Sequence, residues 1–276
     1  MRPRSLTLTA AALAVAVGVA AAHDTWLVPA AFAVRPGATV VLAMSSGDRF
    51  PADGSAIRPE RIADATLRLG GATTPITDRV VAGGHLRLRA RVATAGVATL
   101  AVSLAPRDLD MDSTRVSHYL DEIGAGEAIR AAWAAMPAPR AWRESYAKHV
   151  KTFVAVGAAR DSSWREPVGQ ALELVPLAHP LALRAGDTLR VRLLRGGTPL
   201  AGAAVGAARE GARHATLVPT GPDGVAALPL PRAGRWLLRA TDLRLPAGPD
   251  ARWTSDFTTL VIAVRAKAAP PTASRH

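Results

Sequence analysis

The chain of 276 residues contains no cysteine. That single absence removes disulfide frameworks, thiolate metal centres, cysteine nucleophiles and cysteine-linked lipid anchors. Methionine is scarce too, four in all with one the initiator, which argues against a soft thioether site for copper(I). Aromatic residues make up only 4%, and lysine stands only at positions 148, 151 and 267. The formal charge of +12 therefore comes almost wholly from arginine. These arginines are scattered through an alanine-rich chain rather than gathered in basic runs, so the charge does not read as a nucleic-acid footprint. With 49% hydrophobic and 20% charged residues, the chain has ample material for a packed core.

Beyond the first segment, no apolar run is long enough to span a bilayer. That first segment has the form of an export leader. Arg2 and Arg4 precede the apolar stretch from Leu6 to Val19, and Ala20-Ala21-Ala22 supplies a small-residue cleavage site. Cleavage after Ala22 leaves a soluble periplasmic protein beginning at His23. A terminal histidine carries a free α-amine and an imidazole on one residue. Together these can close a six-membered chelate ring on a metal ion, at a modest cost in deprotonation near neutral pH.

Residues 23–105 read as a β domain. Thr39 to Ser45 is an apolar run after Arg35-Pro36-Gly37; Ala65 to Leu69 and His85 to Val92 alternate with period two; Val97 to Leu104 closes the set. In His85 to Val92, Leu86, Leu88, Ala90 and Val92 share one face, and His85 lies among arginines on the other, a poor place for a cation ligand. Residues 106–149 read as a helical insert, with Ser113 to Ile123, Glu127 to Met136 and Arg140 to Lys148 of helical composition and Ser113 placed as N-cap. Residues 150–185 are a strand and linker, in which the two prolines of Leu172 to Leu183 forbid a central strand, so that this stretch runs along an edge or links the halves. From 186 to 265 short strands between glycine-rich turns predict a C-terminal Ig-like sandwich, followed by a disordered tail over 266–276. The fold class is mainly β: two sandwich-like units with a small helical insert between them.

Several segments in order resemble one family. They are HDTWLVP from His23, GDRFP from Gly47, RESYAKHVKTFVAVG from Arg143, ELVPLAHP from Glu173, GTPLAGAAV from Gly197, GRWLL from Gly234 and DARWTSDFTTL from Asp250. The set resembles the DUF4198 family, exported proteins related to the periplasmic component of cobalt and nickel uptake systems. The resemblance implies a mainly β protein that handles Ni²⁺ or Co²⁺ outside the cytoplasm, with a metal permease or outer-membrane receptor as partner. His23 matches the family's mature-terminal histidine, Tyr146, Lys148 and Lys151 its Tyr/Lys motif, and Glu173 its acidic position. Metal-handling relatives carry a further histidine in the loop held here by Gly47-Asp48-Arg49, and this chain has none.

The candidate metal ligands are His23, His149, His118 and Asp24. Imidazole, amine and carboxylate groups suit Ni²⁺ or Co²⁺, with Cu²⁺ as an alternative. His149 stands at the entrance of a strand, and His118 has Asp121 and Glu122 three and four residues on. The neutral alternatives are a surface histidine for His149, a solvated helix face for His118 and a turn cap for Asp24. His179 suits packing or hydrogen bonding, and His214 beside Arg213 suits the surface. Glu173, an acid in apolar company, needs an internal partner. Trp26, Trp236 and Trp253 suit core positions. No nucleophile elbow, zinc-protease helix, phosphate loop or dinucleotide fingerprint occurs, so the chain reads as a binding protein rather than an enzyme. Two other readings stand beside metal delivery: an Ig-like interaction module without metal, and a copper histidine-brace oxidase, which needs a second well-placed histidine.

Overall fold

The computed structural model describes residues 23–158, 161–247 and 252–267. The leader expected at 1–22 and all but the start of the expected tail lie outside the described residues. Within them the architecture is mainly β, in sandwich-like units, with two helices, α1 (Ser113–Glu122) and α2 (Glu127–Ala135). No described helix is long and apolar enough to cross a membrane.

Three sheets are formed by the described residues, with nine, five and four strands. The nine-stranded sheet draws on both halves of the chain. Its centre is the strand Trp142–Val156, which pairs antiparallel with Gly96–Met111 on one side. On the other side it pairs parallel with Arg252–Val264, setting Lys151 opposite Leu260 and Thr152 opposite Val261. This parallel pairing is the seam between the N-terminal and C-terminal halves.

Alternation along the central strand decides what packs where. Val150, Val154 and Val156 join Leu42, Met44, Leu86 and Leu88 in a core beneath the five-stranded sheet. Phe153 instead joins Leu260, Ile262, Leu172 and Val191 in a core beneath the four-stranded sheet. The two smaller sheets thus cover opposite faces of the large one. Because both faces are covered, the strand is buried almost without a break from Lys148 onward.

The stretch Arg140 to Lys148, expected to be helical, is strand. Its inward residues are Trp142, Glu144, Tyr146 and Lys148, a period-two pattern disguised because two of the four are charged. The preceding strand likewise runs on to Met111 before α1 begins. Asp112 caps α1 by accepting from the backbone N–H groups of Thr114 and Arg115, one residue before the position the sequence suggested. Leu172–Pro176 pairs with one neighbour only and forms the sheet edge that its prolines require.

The helices close one end of the seam through an aromatic cluster. Val116, Tyr119, Leu120 and Trp133 pack on Trp142, Tyr146, Trp253 and Phe257. The indoles of Trp142 and Trp253 stack at 4.3 Å, while Tyr119 and Trp133 meet Trp142 edge-on. Beside this cluster the first described strand, Asp24–Pro29, crosses the seam, with Trp26 and Val28 on Leu237 and Val261.

Candidate functional site

Two hydrogen bonds fix the start of the described chain to the seam. The Thr259 hydroxyl donates to Thr25 O at 2.5 Å, and the Lys148 ammonium donates to His23 O at 2.5 Å. Antiparallel pairing with Thr39–Arg49 sets Asp24 opposite Gly47. That register brings His23 to the neighbouring Asp48, whose Oδ1 lies 2.9 Å from His23 Nε2. Asp48 itself is 79% exposed, so the pair sits at the surface. Asp24 turns elsewhere: its Oδ2 accepts from Arg239 Nη1 at 2.7 Å, and Arg239 also donates to Glu122 Oε1 at 3.1 Å.

His149 is 6% exposed and fully engaged. Its Nδ1 lies 3.0 Å from Ser103 Oγ and its Nε2 2.9 Å from Asp256 Oδ1. Asp256 also meets Arg244, and these donors hold its carboxyl below the usual aspartate value against the opposing effect of burial. Both ring nitrogens are committed to the seam between the central strand and its two neighbours. A small void shared with His23 has room for about 10 Å³, enough for one water at most. The structure therefore does not bring His149 to His23 as a second open ligand.

His118 lies exposed on α1 and lines an open cleft of about 480 Å³. Asp48, Asp121, Glu122, His214 and Arg239 line the same cleft. His23 meets this cleft through Asp48. Of the four residues singled out from sequence, His23 and His118 approach one space, while Asp24 and His149 are tied to internal partners. Asp48 and His214 were not singled out. Asp48 lies near the end of the strand Thr39–Arg49, and only strand pairing reveals that it faces His23. Among the described residues, no three histidine or carboxylate groups already converge as a formed metal centre.

The remaining motif residues form the buried polar core of the seam. Lys148 is 4% exposed, and burial, the largest influence, lowers its ammonium to about 8. Its Nζ lies 5.5 Å from the Tyr146 ring centroid and 5.4 Å from that of Phe257. Glu144 accepts from Trp142 Nε1 at 2.7 Å, from the Tyr119 hydroxyl at 2.9 Å and from Ser255. Burial raises its carboxyl above the ordinary range although all three donors pull it down. The neighbouring Tyr119 hydroxyl is pushed well above its usual value, first by burial and then by Glu144.

Lys151 and Glu173 form the partnership that the apolar setting of Glu173 demanded. Nζ and Oε1 lie 2.5 Å apart, with each side chain 2% exposed. The carboxylate also accepts from the backbone N–H groups of Val168 and Gly169. His85, on the arginine-bearing face, contacts the Ser45 hydroxyl at 2.5 Å, and the His179 ring packs 5.3 Å from that of Trp164.

The chain shares low similarity with several solved structures. The D0-D1 domain of intimin is 9% identical, over 87% of this chain and 98% of that one, with a TM-score of 0.22. The Yersinia pseudotuberculosis adhesin InvE is 11% identical, over 87% of this chain and 58% of that one, with a TM-score of 0.23. The Escherichia coli adhesin FdeC is 15% identical, over 89% of this chain and 64% of that one, also at 0.23. No curated protein matches the chain. The profile of a domain of unknown function, DUF4198, matches residues 20–242, and the chain belongs to that family.

Proposed function

We propose that this protein is a non-enzymatic, exported metal carrier whose mature chain begins at His23 and holds a Ni²⁺ or Co²⁺ ion there. One observation supports the reading above the others: His23 Nε2 lies 2.9 Å from Asp48 Oδ1. A histidine that donates its Nε2–H to a carboxylate keeps its lone pair on Nδ1 and gains basicity, the arrangement that metal-ligating histidines favour. Nδ1 is also the nitrogen that closes a six-membered ring with the residue's own α-amine. His118 and His214 border the cleft next to Asp48 and can supply further ligands by side-chain rotation. Delivery to a permease or an outer-membrane receptor follows from this reading.

Calorimetric titration of Ni²⁺, Co²⁺ and Cu²⁺ tests it on the protein beginning at His23 and on a form extended by one alanine. The extension keeps the imidazole and turns the chelating amine into an amide. Affinity should fall by about 10–100-fold in the extended form, and His118→Ala should weaken binding further. His149→Gln should leave it unchanged in protein that remains folded. Equal affinity in the two forms refutes the terminal chelate. Absence of uptake by either form favours an interaction module without metal.

A further inference from the structure

On the other side of Lys148 lies a second cleft, of about 430 Å³. Its lining includes Arg58, Arg61, Arg107 and Lys148, the hydroxyl of Ser55 and the ring of Tyr146. No carboxylate lines it among the described side chains. Arg58, Arg61 and Arg107 form no ion pair among the described residues, in contrast to Arg239 and Arg244 across the seam.

The local backbone explains how these cations gather. Tyr146 pairs with Arg107, but Lys148 pairs with Leu104, so the partner strand carries an irregularity at Ala105 and Pro106. Pro106 has no N–H to give to the ladder. The carbonyl of Ala105 is taken instead by Arg61 Nη2 at 2.9 Å. Arg61 ends the short 3-10 turn Pro59–Arg61, and Arg58 begins it. One turn and one bulge thus point three guanidinium groups and an ammonium at a common space. Arg61 Cζ stands 5.9 Å from the centroid of the Tyr146 ring, the same ring that Lys148 approaches.

Arg61 pairs with no carboxylate among the described residues. Arg61 Nε is buried and has no hydrogen-bond partner. Leaving a buried charged donor unmet is costly, and a turn of the guanidinium toward an oxyanion in the cleft would relieve it. Lys148 is buried and Arg61 half-buried in the cleft, whereas Arg58 and Arg107 stand exposed at its rim. Two levels of positive charge suit a ligand with anionic groups at both ends, and the volume suits a small organic molecule.

We propose that this cleft binds a small organic polyanion carrying at least two carboxylate or phosphate groups. Arg61 and Lys148 hold one group at the floor, and Arg58 and Arg107 hold another at the rim. The site is separate from the metal reading of His23 and does not depend on it.

Calorimetry on metal-free protein beginning at His23 tests the site at low ionic strength, because rim charges are screened by salt. Propane-1,2,3-tricarboxylate and fructose 1,6-bisphosphate serve as the carboxylate and phosphate arms, and the tricarboxamide as a neutral control. At least one polyanion should bind, and the neutral control should not. Arg58→Gln/Arg107→Gln alters only exposed side chains and should weaken binding at least tenfold, as should Arg61→Gln. Extension by one alanine before His23, which tests the metal chelate, should leave polyanion affinity unchanged. Binding by neither polyanion overturns the proposal, as does equal affinity in the wild type, the rim variant and Arg61→Gln.

Discussion

The buried pair of Lys151 and Glu173 offers a sharp test of how the two halves are joined. Lys151 lies in the shared nine-stranded sheet and Glu173 in the four-stranded sheet, so the pair spans an interlayer interface. With each side chain 2% exposed, neither charge can turn to water when its partner is removed. Breaking such a pair costs about 3–5 kcal/mol, because the survivor stays buried and uncompensated. Lys151→Met should fall at about the low end, since Glu173 retains the N–H donors of Val168 and Gly169. In Glu173→Gln the lysine escapes by losing its proton. Taking a group of ordinary pKa ~10.4 to neutrality at pH 7 costs about 4–5 kcal/mol, and the penalty should shrink as pH rises toward 10. The double variant removes both charges and should lose at least about 2 kcal/mol less than the sum of the single losses. Urea unfolding followed by circular dichroism at pH 7 and pH 9.5 measures all four proteins. Additive losses, or a Glu173→Gln penalty that does not change with pH, would refute the reasoning.

Lys148, held at about 8, should make stability rise with pH. Between about pH 8 and 10 the native state has released this proton and the unfolded state still holds it, so the unfolded state binds more protons and stability increases, by up to about 3 kcal/mol from this group. Lys148→Met should flatten that slope in urea midpoints measured at pH 7.5 and 9.5, and an unchanged slope would count against the assignment. Gly224 has φ +72°, and a Cβ there would stand 2.9 Å from Leu193 O and 3.0 Å from Leu200 N. Gly224→Ala should therefore cost about 2 kcal/mol or more, whereas Gly84→Ala, at φ +76° with open space around it, should cost only about 1 kcal/mol; thermal melts compare the two. Trp142→Ala removes the indole at the centre of the aromatic cluster and should cost about 3–5 kcal/mol in urea unfolding, with loss of near-ultraviolet circular dichroism from the stacked Trp253.

The short strands were legible wherever one face is wet. His85–Arg91 alternates buried and exposed residues along its length, as its leucines and arginines indicate. The central strand hid its nature for the opposite reason. Its inward positions include Glu144 and Lys148, whose partners come from Tyr119, Ser255 and His23, distant in sequence. Periodicity counted on apolar residues alone cannot see a polar core. The same distance conceals the candidate site. His23 meets Asp48 only through strand register, and His149 looked available because Ser103 and Asp256 lie 46 and 107 residues away. The need of Glu173 for an internal partner, in contrast, was readable because an acid among leucines has few alternatives.

The parallel seam also dictates the order in which the chain can finish folding. The central strand and its antiparallel neighbour lie close in sequence, so the N-terminal half can assemble as soon as both have emerged. The last partner, Arg252–Val264, arrives about a hundred residues later. Until it docks, Glu144–Thr152 is a bare strand edge with every second backbone group unpaired, a template for another copy of the chain. Arg252–Val264 therefore acts as the closing zip of the large sheet. A deletion that removes Arg252–Val264 does more than shorten the C-terminal sandwich: it returns the centre of the molecule to an open, aggregation-prone edge.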